Sequence, residues 1–440
     1  MKQEEDVLDT WFSSSLWPFS TLGWPEKTAD LEEYYPNDLI ETANDILFPW
    51  IARMMMMADI NMGNMPFKTI YFHGIVNDEK GRKMSKSLGN VMDPLEVIEK
   101  FGADALRCSL IIGSTPGNSI NYSDQKADYY YRFANKLWNA VRFVHTNIFK
   151  EGDDAIHLDL EAIKQDITDH MDKLNHFDKW MIGKLNMVIE DSGRMFADYH
   201  LGQFGDSIVN MVRGDFCDRY IEISKREKSD YTDKVLLYAI GTILKLLHPY
   251  MPFVTEKLWA HMHFDGMLCT QSWPKELTGA PKDFKISILM DMITERRNLR
   301  SQQKVKPHEN ADILLQANVS FNNFVKSYEN LVKDLVKTEN IGYLREDDEM
   351  PEDYQTAMVI DMKIGLKSIV VIDKKTQLAS LEKQLADEES FMQSLRNMLS
   401  NASFSTSAPA NVVAEKQQKL DEVKQKIMKL KLDIAKLKME

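Results

Sequence analysis

The ten residues Gly81-Arg82-Lys83-Met84-Ser85-Lys86-Ser87-Leu88-Gly89-Asn90 constrain this chain more than any other stretch. Lys83 and Lys86 place two ammonium groups three residues apart, with hydroxyls at Ser85 and Ser87 and flanking glycines at Gly81 and Gly89. An ammonium on a flexible stem is a compact charge that can follow phosphate oxygens as charge moves during a reaction. The glycines admit backbone conformations that a loop able to open and close requires. Two lysines at this spacing in an arbitrary sequence would be a solvated basic turn. Here the β-branched and aromatic run Thr69-Ile70-Tyr71-Phe72 leads into His73-Gly74 just before the loop and reads as a strand. In a parallel sheet, ligands gather beyond the carboxyl ends of strands, so His73 and Gly74 are candidates for the same site. A packed histidine is the alternative.

Composition narrows the class. The 440 residues suffice for several domains, and 44% hydrophobic with 28% charged residues is ordinary for a soluble globular protein. A net charge of −13 excludes a global basic field, so a nucleic-acid partner has to be met by local lysine and arginine patches. Cys108, Cys217 and Cys269 are far apart, with no CxxC and no Cys/His pair at zinc-finger spacing. Neither a disulfide scaffold nor a structural zinc site is predicted, and reduced thiols in a cytoplasmic protein are expected. Met1 to Asp6 lacks the apolar core of a signal peptide. The Met54–Met57 run is too short to span a bilayer and is flanked by Arg53 and Asp59.

Local patterns divide the chain. Residues 6–25 hold Trp11, Trp17 and Trp24 among Ser, Pro and Gly, which reads as an aromatic loop or pocket wall rather than regular structure. Leu39-Ile40 reads as a short buried strand, and from Asp45 onward Ile46, Trp50, Arg53-Met54 and Met57 recur at helical spacing. Asp93-Pro94-Leu95-Glu96 opens a helix with Asp93 as N-cap, Leu95, Ile98 and Phe101 as its buried face, and Gly102 as its stop. Residues 129–261 are helical almost throughout and predict an antiparallel bundle. Glu295-Arg296-Arg297-Asn298-Leu299-Arg300, followed by Lys304-Val305-Lys306-Pro307, is either a solvated helix face or a set of phosphate contacts. Residues 311–373 alternate strand-like runs (Asp312-Ile313-Leu314-Leu315 and Ile369-Val370-Val371-Ile372) with a helix through Phe324 to Val336. Two heptad runs close the chain, Leu378/Leu385/Met392/Leu399 and Val413/Leu420/Ile427/Ile434, separated by the helix-breaking Asn401–Pro409. They predict an antiparallel coiled coil, whose second helix carries Lys416, Lys419 and Lys424 among other lysines.

The string KMSKS, at Lys83–Ser87, resembles the ATP loop of class I aminoacyl-tRNA synthetases. DVLDTWFSSSLWPFSTLGWP resembles the entry into the second half of the catalytic domain in the valyl members, whereas the isoleucyl members usually carry an acidic residue at the position of Ser13 or Ser14. Thr42–Met54 resembles TGYDIIFFWVARM. GADALR, FANKLWN, DFCDRYIE and LLHPYMPFVTEKLW resemble the connecting fold and anticodon-binding bundle, and the lysine-rich arm with Pro409–Val413 resembles the end of valyl-tRNA synthetases.

The resemblance implies an α/β half-Rossmann catalytic portion with a connecting fold (residues 1–125), a mainly α-helical anticodon-binding bundle (126–290), a small α/β junction domain (291–375) and an antiparallel coiled-coil arm (376–440). It implies a valine-tRNA ligase acting on valine, ATP with Mg2+, and tRNA(Val). It assigns ATP to His73, Gly74, Lys83, Met84, Ser85, Lys86 and Ser87, with Lys83 and Lys86 catalytic. Valine falls to Trp11, Asp45 and Trp50, and tRNA to Arg296, Arg297, Arg300, Lys416, Lys419 and Lys424. No HIGH-type motif and no editing insertion stand in these 440 residues. A further partner is therefore implied, the N-terminal half of the synthetase, without which the chain is expected to be inactive. The alternatives are a non-catalytic tRNA-binding module and an isoleucyl-type enzyme.

Overall fold

The structure, a computed structural model, describes residues 5–150, 157–279, 284–303, 311–360 and 362–367, with scattered positions between 385 and 431. It divides into two units, Met1–Asp291 and Met292–Glu440.

The first unit begins with short helices. The aromatic run expected to be irregular forms α1 (Thr10–Ser15) and α2 (Trp17–Ser20). Asp9 caps α1 by accepting from the Trp11 N–H, and Pro18 enters α2 in its first turn, where a missing N–H costs nothing. Helix α3 (Ala29–Tyr34), capped by Thr28, leads to β1 (Asn37–Ala43). Asn44–Ile46 then winds as a 3₁₀ turn and Leu47–Ala52 as a π-helical stretch, before α4 (Arg53–Met62) ends at Gly63 with φ of 73°. The periodicity is helical here, but Pro49 lacks the N–H an α-helical ladder uses, and the segment winds tighter (3₁₀) and then wider (π) before the α-helix. Strand β2 (Phe67–His73) pairs parallel with β1, and Ile40, Ile51, Met54 and Phe67 form a core against them.

Strand β3 (Val76–Asn77) pairs parallel with β4 (Ile120–Asn121) on the far side of the lysine loop. Between them lie α5 (Pro94–Phe101) and α6 (Ala103–Ile111). Asp93 caps α5 as expected, accepting from the Leu95 N–H. The buried face differs from expectation: Val97 is the buried residue, whereas Leu95 is 67% exposed. Val97 joins Leu106, Tyr122 and Ala127 in a cluster reached through tertiary packing, which outweighs the local stripe.

The bundle follows: α7 (Asp124–Ile148), α8 (Leu160–Asp169), α9 (His176–Ala197), α10 (Leu201–Asn210), α11 (Ile221–Ser224), α12 (Thr232–Leu247) and α13 (Pro252–His261). Phe133, Leu137, Ala140 and Val141 share the buried face of α7, as their spacing predicts. Every residue of α12 from Val235 to Leu247 is buried, which makes it the central helix. Met211–Tyr220 winds as a π-helix, and its Tyr220 hydroxyl donates to the fully buried Asp178, which also accepts from Ser229 and Thr232. Three donors replace the water that a buried carboxylate has lost.

Helix α14 (Phe284–Gln302) carries the chain into the second unit. There β5 (Ile313–Gln316), β6 (Ile341–Leu344), β7 (Tyr354–Val359) and β8 (Met362–Lys367) form a sheet ordered β6-β5-β8-β7, with β5 and β6 parallel and the other pairs antiparallel. The single helix expected over Phe324–Val336 is two, α15 (Val319–Ser327) and α16 (Glu329–Val336), meeting at Tyr328. The run Ile369–Ile372 lies outside the described residues, as do Lys304–Pro307, Asn401–Val413, and heptad positions such as Leu378, Leu399 and Ile434. Of the heptad residues that are described, Leu420 and Ile427 are buried, with Val423 between them, and Leu385 and Met392 pack against them.

Candidate active site

The lysine loop sits at the carboxyl ends of a parallel strand pair. The β1–β2 register sets Ala43 opposite His73, so Asp45 and His73 both emerge at the same end. Asn77 bridges Lys83 in antiparallel fashion, which folds the loop back from β3. Gly81 (φ 76°) and Gly89 (φ 62°) adopt left-handed conformations that turn the chain at either end. Ser85 caps the 3₁₀ turn Lys86–Leu88, accepting from the Leu88 N–H, and its hydroxyl lies 3.1 Å from that of Ser87. Met84 turns inward to the cluster around Val97 and Leu106, while Lys83, Lys86 and Ser87 are exposed.

Lys83 Nζ lies 3.4 Å from Asp45 Oδ2, which brings a residue expected at the triphosphate next to one expected at the amino acid. His73 is exposed rather than packed. Its Nδ1 contacts the Gly74 carbonyl at 3.1 Å and its Nε2 lies 3.9 Å from Glu41. Gly74 has a steric reason: a Cβ there would stand 1.8 Å from the Asn118 carbonyl oxygen.

The tryptophans gather close by. The Trp50 indole N–H donates to the Ser14 carbonyl at 3.0 Å, and its ring lies 6.0 Å from that of Trp17. The Arg53 guanidinium stands 5.9 Å over the Trp11 ring. Trp17, from the same aromatic run, thus packs beside Trp50. The sequence assigns no role to Asp78 or Asn90, yet both hydrogen-bond within the loop.

The arginine run is corrected in part. Arg296 is 2% exposed and Arg300 8% exposed, so neither offers its guanidinium to a phosphate from this fold; Arg297 alone of the three is exposed. Arg296 Nη2 donates to the Lys337 carbonyl at 2.8 Å, and burial, with Arg300 and Arg297 nearby, pulls its guanidinium down to about 9. A helix that presents arginines at i and i+4 to its packed side cannot present the same pair to solvent. Lys416 and Lys419 lie outside the described residues, and Lys424 is exposed. Among the described residues, no group of three His, Cys, Asp or Glu side chains could hold a metal ion, and no helix is long and apolar enough to cross a membrane.

With this geometry in hand, the chain's relatives are informative. Residues 1–123 match the family model "tRNA synthetases class I (I, L, M and V)", residues 178–315 "Anticodon-binding domain of tRNA ligase", and residues 373–438 "Valyl tRNA synthetase tRNA binding arm". A crystal structure of an Agrobacterium radiobacter LeuRS–tRNA–LeuAMS complex shares the fold over 78% of this chain and 42% of that chain, with a TM-score of 0.51 and 18% identity. The chain belongs to the class I aminoacyl-tRNA synthetases. Curated valine–tRNA ligases from Clostridium acetobutylicum (35% identity) and Thermotoga maritima (37%) each align with 96% of it. Within the class it belongs to the valyl-tRNA synthetase family, as a C-terminal portion. It spans about half the length of those relatives, 48% and 47%.

Proposed function

We propose that this chain supplies part of the active site and the tRNA-binding regions of a valine–tRNA ligase, working with the remainder of the enzyme. The carrying observation is the exposed KMSKS loop at the carboxyl ends of β1 and β2, with Lys83 3.4 Å from Asp45. In the first step, a valine carboxylate oxygen attacks the α-phosphorus of ATP and the bond to pyrophosphate breaks. In the second, a ribose hydroxyl at the 3′ end of tRNA(Val) attacks the adenylate carbonyl and AMP leaves. Lys83 and Lys86 stabilise the charge that grows on the departing pyrophosphate, and His73, Gly74, Met84, Ser85 and Ser87 line or shape the ATP site. Mg2+ enters with ATP, held mostly by phosphate oxygens. Asp45 holds the α-ammonium of valine, and Trp11 and Trp50 wall its side chain. The bundle, the sheet of the second unit read as a junction domain, and the heptad arm read as a coiled coil form the tRNA side. Arg297, Lys416, Lys419 and Lys424 are its phosphate contacts, and Arg296 and Arg300 hold the fold.

The test is valine-dependent ATP–pyrophosphate exchange, with the chain alone and with the remaining half of a close valyl enzyme supplied. Activity is expected only in combination, and Lys83→Ala is expected to slow it by about 10²-fold, the scale of one lost transition-state donor. Exchange by the chain alone would remove the need for the other half. Exchange driven by isoleucine but not valine would move the chain to the isoleucyl enzymes.

A further inference from the structure

We propose that Asp78 is the positioning residue of the lysine loop, latching it through Arg82 and Asn90 so that Lys83 and Lys86 are presented from one fixed backbone. Its importance for catalysis rests on the reading of that loop as the ATP element; its role in the loop's conformation does not.

Asp78 follows β3 directly, and its carboxylate reaches both ends of the loop. Oδ1 accepts from the backbone N–H of Lys80 at 3.0 Å and of Arg82 at 2.8 Å. Oδ2 accepts from Arg82 Nε at 2.8 Å, from Arg82 Nη2 at 2.7 Å and from Asn90 Nδ2 at 3.0 Å. The main chain closes the same turn, with the Asp78 N–H donating to the Arg82 carbonyl and the Gly81 N–H to the Asp78 carbonyl, both at 2.9 Å.

Asn90 extends the latch. Its amide also donates to the Lys83 carbonyl at 3.3 Å, and its oxygen accepts from the Ser85 N–H at 2.9 Å. The backbone on both sides of Met84 is thereby tied to one carboxylate. Beyond this network the segment is held by the Asn77–Lys83 bridge and by Met84 packed on the Val97 cluster, and from Gly81 to Gly89 only Met84 and Ser85 are even partly buried. Hydrogen bonds rather than packing therefore decide where the two lysines stand, and the glycines at either end would otherwise give the loop a wide choice.

The Asp78 side chain is 12% exposed. The Asn90 amide and the Arg82 contacts hold its carboxyl far below the usual carboxylate range. Charge-assisted bonds of this kind, several to one carboxylate, are the strong ones. A loop pinned in this way presents its charges with the conformational search already done.

Hydrogen exchange on the chain tests the latch without ATP. In Asp78→Ala the Ser85 and Leu88 amides are expected to exchange about tenfold faster, and in Asn90→Ala by a similar factor. The double variant should add little, because the two residues act in one network. Amides of α12 should keep their protection in all three. Should Asp78→Ala lose α12 protection, Asn90→Ala decides with the same two readings. In the complemented enzyme both substitutions should lower kcat for pyrophosphate exchange while KM for valine stays within twofold. Asp78→Asn with Asn90→Asp, which rebuilds an amide-to-carboxylate bond, should recover part of it. Wild-type exchange at Ser85 and Leu88 in both single variants would overturn the assignment. If the loop loosens but the complemented wild-type enzyme shows no exchange of pyrophosphate, the latch stands and the functional reading falls.

Discussion

Single residues show how far a motif carries. The pair His73-Gly74 was visible as a strand end, but the need for glycine comes from a carbonyl on a distant segment, that of Asn118. Gly74→Ala would press a Cβ to within 1.8 Å of that oxygen, and one of the two backbones must shift. A loss of about 2 kcal/mol or more is expected in urea unfolding, from overpacking against backbone that cannot turn aside. An unchanged midpoint would mean that the 115–119 turn moves freely. Arg296 and Arg300 teach the opposite lesson. A basic run on a helix looks like a charged face until one knows which side of the helix is packed, and periodicity alone does not distinguish an outward arginine from one folded inward to a carbonyl.

Among elements, α6 and α13 are joined through one carboxylate. Asp104, in the first turn of α6, accepts from the Phe253 N–H at 3.2 Å and the Val254 N–H at 2.7 Å, satisfying two orphan donors at the start of α13. Asp104→Ala should cost about 1–3 kcal/mol, the penalty for leaving part-buried donors unpaired. Urea unfolding of the chain measures it, and a neutral substitution would show that water replaces the carboxylate. The pH dependence has a definite sign. Burial raises the Asp104 carboxyl above its usual 3.8, against the bonds from Val254 and Phe253 that lower it. A raised pKa in the folded state contributes stability that is complete below the unfolded value and is lost as pH rises through the folded one. In urea unfolding, wild type should therefore lose stability relative to Asp104→Asn as pH climbs from about 4 towards neutrality. Sequence marked Gly102 as the stop of α5 and singled out GADALR after it, but nothing in it linked that string to the Pro-Phe-Val start of α13.

For the whole molecule, the first unit leaves apolar surface uncovered around its parallel strand pair. Phe48 is 81% exposed, Met56 64% and Ile60 73%, the last two one turn apart on α4. Parallel strands are ordinarily covered on both faces, and a two-stranded sheet is marginal by itself. Under the proposed function, the remainder of the catalytic domain covers this region. Light scattering on the chain alone should then show concentration-dependent association, and Met56→Glu with Ile60→Glu should reduce it while also blocking recovery of pyrophosphate exchange in combination. A monodisperse wild-type chain, or a double variant that still complements, would place the partner elsewhere.

The amino-acid order alone determined the lysine loop, the strand before it and the run of bundle helices, because these are local patterns of period, punctuation and charge, while the valyl character of the ends came from their resemblance to family strings. Tertiary structure decided which side of each pattern is inside. It buried Val97 in place of Leu95, turned Arg296 and Arg300 inward, brought Lys83 to Asp45, and made Asp78 the anchor of a loop in which the sequence singles out the lysines, serines, glycines and Met84. Most of those outcomes depend on neighbours supplied by other parts of the chain; the Asp78 anchor depends on how the loop folds back on residues within twelve positions of it, and no period or punctuation encodes either.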